Sequence, residues 1–113
     1  MCSKSLLNSL LDKVTDYSKE VLGDSLKEVI LYGSYARGDY DDDSDIDVMI
    51  MADIPMNEVL KYSEQICDFV SDINVDNGVF ISPMLQSETV FKKYKDVTPF
   101  YQNVIKDGVR IYG

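Results

Sequence analysis

The chain has 113 residues, and its 11 Lys and Arg against 20 Asp and Glu give a net charge of −9 at pH 7. This charge repels nucleic acid, which argues against a template-dependent polymerase or a general DNA-binding protein. The chain has two cysteines, Cys2 and Cys67, and no histidine, which indicates neither a disulfide framework nor a zinc site and is consistent with the cytoplasm. The longest apolar run, residues 48–52, is too short to cross a membrane.

The first half of the chain predicts a helix followed by two strands. At this length we expect one domain over residues 1–113. Residues 5–22 carry apolar side chains at helical spacing, and Gly23 supplies a stop. Two apolar stretches, 27–32 and 45–52, are then typical of strands.

The second half alternates helix and strand. Pro55 suits the first turn of a helix that continues to about Ser71. A strand follows near residues 79–85, at a sheet edge because of its proline. A short helix opens at Ser87, and a last one runs from about Pro99 to before Gly108. This order predicts an α/β (α+β) domain, a small mixed β-sheet covered mainly by helices.

The stretch GSYARGDYDDDSDID, residues 33–47, carries the chemistry, and its first part suits a phosphate. Gly33 has no Cβ, so a phosphate can approach the backbone closely. Ser34 is a good N-cap for a short helix whose free N–H groups and positive dipole end would face that phosphate. Arg37 either adds positive charge there or pairs with a nearby aspartate.

The end of the same stretch suits a divalent cation. Side chains alternate along a strand, so Asp45 and Asp47 share one face while Ile46 and its apolar neighbours take the other. Two adjacent carboxylates repel each other unless a cation lies between them. Mg²⁺ is commonly held by one or two carboxylates together with substrate phosphates.

Simpler interpretations of these residues compete with the phosphate and cation site. A Gly-Ser pair alone is usually a turn, and an aspartate-rich loop is usually solvated. A calcium loop starting at Asp39 fails because its sixth position is Ser44 and its twelfth is Ile50. A Walker A loop fails because Asp39 and Tyr40 follow Gly38 where Lys and Ser or Thr are required. The joint arrangement of strand, Gly-Ser, Asp-x-Asp and strand favours metal-dependent chemistry on a nucleotide.

GSYARG followed by SDIDVMI resembles the signature of the minimal nucleotidyltransferases of the DNA polymerase β-like superfamily, which include the antitoxins of HEPN/MNT modules. The resemblance covers nearly the whole chain and implies the polymerase β palm-like fold. It also implies that Gly33 and Ser34 hold the triphosphate, with ATP as the expected nucleotide, and that Asp45 and Asp47 bind Mg²⁺.

The chain departs from the family pattern at a third carboxylate, which members commonly carry on the next strand. Ser82 stands about where that acid is expected. Asp76 is the nearest alternative, although Asp76-Asn77-Gly78 has the composition of a turn.

Three functions therefore remain open. The chain transfers a nucleoside monophosphate to a hydroxyl on a partner protein, such as a HEPN-type toxin, or modifies a small molecule, or binds nucleotide or partner without catalysis. Small-molecule members of the superfamily usually carry an additional helical domain, for which this chain has no room. We expect the first function, with the non-catalytic module as the alternative.

Overall fold

The computed structural model describes residues 3–113. They form five α-helices, one 3₁₀ turn and four strands: α1 (Lys4–Leu22), the 3₁₀ turn (Gly23–Ser25), β1 (Leu26–Tyr32), α2 (Ser34–Arg37), β2 (Ile46–Ala52), α3 (Met56–Asn77), β3 (Ile81–Ser87), α4 (Glu88–Tyr94), α5 (Pro99–Asp107) and β4 (Val109–Tyr112). None of these helices is long and apolar enough to span a membrane. Cys2 lies outside the described residues, and Cys67 is an exposed free thiol.

The four strands make one mixed sheet in the order β3-β2-β1-β4. β1 is antiparallel to both β2 and β4, whereas β2 and β3 are parallel. A parallel pair needs a crossover connection, which here is α3. The sheet covered by helices confirms the predicted α/β (α+β) class.

Both faces of the sheet are covered, so the central strand β2 is buried along most of its length. Helices α1 and α3 pack on one face, against Val48 and Ile50, and Tyr17 of α1 stacks on Phe69 of α3 at a centroid distance of 4.0 Å. Met49 and Met51 face the other way and pack against Phe91 of α4 and Val104 of α5. Burial on both faces explains why β2 is almost continuously apolar. Its sequence, IDVMIMA, contains one polar residue, Asp47.

Helix α3 is longer than predicted and displaces the start of β3. The helix continues to Asn77 instead of ending near Ser71, because Ile73 extends its buried face. Asp76 and Asn77 therefore lie in its last turn, and only Gly78, at φ 63°, leaves the helix as a left-handed cap. As a result β3 occupies Ile81–Ser87 rather than residues 79–85.

The remaining boundaries agree with the sequence within a residue or two, apart from the last strand. α1, β1, β2, α4 and α5 were all predicted, although β2 begins at Ile46 rather than at Asp45. Pro55 is the N-cap of α3 and the helix begins at Met56. The last strand, Val109–Tyr112, was not predicted; its side chains are exposed or only partly buried and show no clear alternation.

Candidate functional site

Gly33 forms the sharp turn between β1 and α2. Its φ of 75° lies in the region that favours glycine, and its carbonyl accepts hydrogen bonds from the N–H groups of Ala36 and Arg37, both at 3.1 Å. Gly33 is thus the N-cap of α2. The prediction that Ser34 is the cap is wrong, because Ser34 is the first residue of the helix itself. Gly38, at φ 86°, ends the helix.

The carboxylate of Asp47 lies directly against this turn. Asp47 is paired with Tyr32 in the antiparallel register of β1 and β2, which places it beside the residue that follows Tyr32. A Cβ atom on Gly33 would overlap Oδ2 of Asp47. Glycine is therefore needed at position 33 for both its backbone angle and its lack of a side chain.

Asp45 and Asp47 place two negative charges close together at this site, and without a cation between them these charges repel each other. Asp45 is exposed and immediately precedes β2, whereas Asp47 is partly buried. Burial, followed by the negative charge of Asp45, raises the pKa of Asp47 above its usual range, and the positive charge of Arg37 opposes this shift. Burial and the charge of Asp47 likewise raise the pKa of Tyr32. Negative charge is thus concentrated at the beginning of β2.

These residues fit a hard divalent cation. Carboxylate oxygens are the ligands that Mg²⁺ prefers, and the lack of a side chain at Gly33 leaves room for phosphate oxygens to complete its coordination. Among residues 3–113, no group of three or more His, Cys, Asp or Glu side chains is arranged to hold a metal. Two carboxylates, as at Asp45 and Asp47, commonly hold Mg²⁺ together with substrate phosphates.

The two candidates for a third acidic position lie in different places. Ser82 is the neighbour of Asp47 in the parallel register of β2 and β3, so it stands beside the carboxylate pair as expected. Asp76 is exposed in the last turn of α3, the helix that covers the opposite face of the sheet. The structure thus places Ser82, and not Asp76, on the face of Asp47.

Arg37 pairs with nearby aspartates, which is one of the two roles considered for it. Its Nε donates to Oδ2 of Asp39 at 3.2 Å, and its Nη1 lies 3.8 Å from Oδ2 of Asp107 at the end of α5. It is also close enough to Asp47 to oppose the rise in its pKa. Asp107 lines a cleft of about 200 Å³ between α2 and α5, together with Tyr32, Gly33, Arg37, Phe100, Asn103 and Val104. The sequence offered no signal for Asp107, because its approach to Arg37 depends on the tertiary fold.

The acidic loop before Asp45 is ordered by its own hydrogen bonds. Oδ1 of Asp41 accepts from the N–H of Asp43 at 2.9 Å, and Oγ of Ser44 accepts from the N–H of Asp41 at 3.0 Å. Tyr40 stacks on Tyr35 of α2 with ring centroids 4.1 Å apart. These contacts fix the path by which the chain enters β2 and therefore the position of Asp45.

Comparison with known proteins shows the family of the chain. The family model for the nucleotidyltransferase domain matches residues 8–110. The chain belongs to the nucleotidyltransferase domain family. Within it, this nucleotidyltransferase is 37% identical over 87 residues to "Putative protein adenylyltransferase MJ0604" of Methanocaldococcus jannaschii, covering 77% of this chain and 79% of that protein. It is 33% identical over 95 residues to "Putative protein adenylyltransferase MJ0141" of the same organism, covering 81% and 94%.

Solved structures share the fold of this nucleotidyltransferase. One described as "Structure of putative minimal nucleotidyltransferase" superposes with a TM-score of 0.60 at 18% identity, covering 91% of this chain and 90% of that one. A mutant form of the toxin–antitoxin MntA-HpeT gives 0.55 at 16% identity, covering 90% and 71%. A toxin–antitoxin structure with AMP-PNP gives 0.51 at 15% identity, covering 94% and 73%. At these identities the likenesses show a shared fold, and the family match shows a nucleotidyltransferase domain, in agreement with the family resemblance of the sequence.

We predict that Gly33→Ala damages both stability and nucleotide binding. An L-residue at this positive φ costs about 1–3 kcal/mol, and the new Cβ must displace the Asp47 carboxylate. Gly38→Ala is the matched control, since φ is also positive there but no atom lies within 4 Å of the added Cβ. Urea unfolding should show both variants destabilised, while a fluorescent ATP analogue with Mg²⁺ should bind about tenfold more weakly only to Gly33→Ala. Wild-type affinity in Gly33→Ala would contradict the proposed role of this contact.

A second prediction concerns the stability of the metal-free protein. Because the folded-state pKa of Asp47 is raised above 3.8, the native state binds more protons than the unfolded state between the two values. Asp47 therefore stabilises the fold less as pH rises through that window, and at neutral pH its charge opposes folding. Asp47→Asn removes this charge, so its melting temperature without metal should exceed that of wild type by a few degrees at pH 7.

The advantage of Asp47→Asn should shrink as pH falls below the usual pKa of aspartate, where the wild-type carboxyl is protonated in both states. Asp72→Asn, at an exposed position of α3, controls for the general loss of one negative charge. Thermal unfolding followed by circular dichroism measures both variants. A lower melting temperature for Asp47→Asn at pH 7, or a difference independent of pH, would show that Asp47 is not under electrostatic strain.

Proposed function

We propose that this nucleotidyltransferase uses Mg²⁺ and ATP to transfer AMP to a hydroxyl on a partner protein of the HEPN type, and so acts as an antitoxin. The observation that supports the proposal is the contact between Gly33 and Asp47, which puts one carboxylate of the acidic pair against the phosphate-suited turn. Without that contact, the Gly-Ser turn and the aspartates would be two separate surface features.

In this proposal each site residue has a defined task. The backbone at Gly33 and Ser34 receives the triphosphate, and Arg37 places positive charge beside it. Asp45 and Asp47 would hold Mg²⁺, which when bound neutralises phosphate charge. The acceptor hydroxyl attacks the α-phosphorus in line, a new oxygen–phosphorus bond forms, pyrophosphate leaves and the hydroxyl proton is released. The chain contributes mainly positioning and electrostatic stabilisation.

The protein acceptor is supported by the relatives rather than by the site. Two relatives above 30% identity bear the name of protein adenylyltransferases. The structural neighbours include a toxin–antitoxin complex and a toxin–antitoxin structure with AMP-PNP, a non-hydrolysable analogue of ATP. A protein acceptor modified with AMP and a toxin partner are consistent with each other, since the toxin itself can be the acceptor.

One observation favours a second candidate, a module that binds nucleotide and partner without transfer. The residue beside Asp47 on β3 is Ser82 and not an acid, so a carboxylate is missing from the position where a third metal ligand is expected. Asp76 remains the alternative third acid, although α3 carries it on the opposite side of the sheet.

Label transfer distinguishes the two functions. The tagged chain, purified with the proteins bound to it, is incubated with Mg²⁺ and ATP labelled at either the α- or the γ-phosphorus. We expect a bound protein to acquire the α-label and not the γ-label, and Asp45→Asn/Asp47→Asn to abolish this transfer. Incorporation of the γ-label would indicate a kinase, and no incorporation despite a bound partner would favour the binding module.

The same assay tests Asp76. From its exposed position on α3 we expect Asp76→Asn to transfer the label at a rate within about twofold of wild type, because surface substitutions away from a site have small effects. Asp72→Asn, one turn earlier on the same helix, is the matched control. A loss of about tenfold or more in Asp76→Asn alone, with its circular dichroism spectrum unchanged, would establish Asp76 as the third acid.

A further inference from the structure

One face of α5 lines the cleft beside Gly33. Phe100, Asn103 and Asp107 are spaced three and then four residues apart, and side chains at this spacing lie on the same side of an α-helix. All three line the cleft of about 200 Å³ between α2 and α5. Phe100, Asn103 and Asp107 are called the α5 ridge below. The α5 ridge therefore forms one wall of a cleft that also includes the Gly33 turn.

The cleft lies on the face of the sheet that carries Asp47. Tyr32 lines the cleft and packs with the cluster that contains Met49 on this face. Asp47 is the partner of Tyr32 in the register of β1 and β2, and directly paired residues of antiparallel strands have their side chains on the same face. The ring of Phe100 contacts Tyr32 edge to face, with centroids 5.7 Å apart. A molecule bound at the Gly33 turn thus has the α5 ridge beside it.

The two ends of the α5 ridge differ in chemical character. Its last residue, Asp107, forms the ion pair with Arg37, so this end of the cleft is charged. At the other end the ring of Phe100 is 37% exposed beside the partly exposed Tyr32, and Asn103 lies between the two ends. A guanidinium attracts phosphate, whereas a nucleobase stacks on exposed aromatic side chains. The polarity of the cleft therefore changes in the same direction as that of a nucleotide.

The size of the cleft limits what it can enclose. Pockets that hold an entire drug-sized ligand have volumes of about 300–1,000 Å³. At about 200 Å³ the cleft has room for one ring system and not for a whole nucleotide. The phosphates would then remain at the turn and the acidic pair, outside the aromatic end of the cleft.

Asn103 can distinguish between purine bases. A side-chain amide presents a hydrogen-bond donor beside an acceptor. Adenine presents its amino donor beside a ring-nitrogen acceptor and so pairs with an amide through two hydrogen bonds, whereas guanine presents two acceptors on the corresponding edge. An amide facing guanine would leave one acceptor opposite its own oxygen.

We infer that the α5 ridge is the nucleoside subsite, where the base stacks on Phe100 and the Asn103 amide selects adenine over guanine. This inference rests on the proposed function, because it assigns the part of the nucleotide that the turn and the carboxylates leave unbound. Phe100 supplies affinity for any base, since every base has an aromatic face, and Asn103 supplies the specificity.

Calorimetric titration with ATP, GTP and inorganic triphosphate, each with Mg²⁺, tests the stacking role of Phe100. We expect Phe100→Ala to bind ATP about tenfold more weakly than wild type and to bind triphosphate with unchanged affinity. Ile105→Ala is the matched control, because Ile105 is 57% exposed on the same helix but lines a different cleft. It should keep the wild-type affinity for both ligands.

The same titrations test the specificity assigned to Asn103. We expect the wild type to bind ATP about tenfold more tightly than GTP, and Asn103→Asp to lose this preference. A carboxylate only accepts hydrogen bonds, so it repels the ring-nitrogen acceptor of adenine and can pair with the N–H groups of guanine. The ratio of the two affinities cancels the general effect of the added negative charge. Asn103 is exposed, so this test does not depend on whether Phe100→Ala folds.

Four results would each overturn the inference: equal binding of ATP and GTP to the wild type, full ATP affinity in Phe100→Ala, an equal loss in Ile105→Ala, or an unchanged ratio in Asn103→Asp. If triphosphate and ATP still bind with Mg²⁺ in those cases, the proposed function stands and only the nucleoside subsite is wrong. A wild type that binds neither triphosphate nor ATP with Mg²⁺ would contradict the proposed function and the inference together.

Discussion

The close approach of the Asp47 carboxylate to the backbone of Gly33 is the constraint on which the site depends. It requires a residue without a side chain, at a positive φ, at the end of β1, and a strand register that pairs Tyr32 with Asp47. The turn and the short helix α2 then present their backbone beside the acidic pair. A slip of one residue between β1 and β2 would turn Asp47 to the opposite face and separate the two parts of the site.

The rest of the fold holds that register. Because β2 is central and covered on both faces, each of its apolar side chains packs against particular residues of the core. A one-residue shift of its register would bury Asp47 in the core formed with α1 and α3. The buried length of β2 thus stabilises a partly buried carboxylate whose charge opposes folding in the absence of a cation. Stability of the sheet offsets the electrostatic strain at its end, as is common at sites that bind charged ligands.

Much of this arrangement could be predicted from the sequence because the signals are local. The leucine spacing of α1, the apolar runs of β1 and β2, and Pro99 at the start of α5 each indicate one kind of element over a long enough stretch. The residues of the turn and the acidic pair were singled out for the same reason, and the structure brings Gly33 and Asp47 together. The prediction of the N-cap of α2 was wrong. Ser34 and Gly33 both suit an N-cap, and only the strand register decides between them.

The failures arise where a tertiary contact overrides a local signal. Asp76-Asn77-Gly78 has the composition of a turn, yet the burial of Ile73 keeps the chain helical up to Gly78. The exposed strand β4 gains its hydrogen bonds from β1 and has no periodicity of its own. The approach of Asp107 to Arg37 and the position of Ser82 beside Asp47 join residues far apart in the chain, and no spacing within the sequence encodes the contact between Asp107 and Arg37.

Asp45 and Asp47 are proposed to form a cation-dependent nucleotide site. This is tested by calorimetric titration of ATP into the wild-type chain and into Asp45→Asn/Asp47→Asn, each with and without Mg²⁺. We expect ATP to bind the wild type only with Mg²⁺ and not to bind the double mutant under either condition. Equal affinity of the double mutant for Mg²⁺ and ATP, or binding to the wild type that is independent of Mg²⁺, would contradict it.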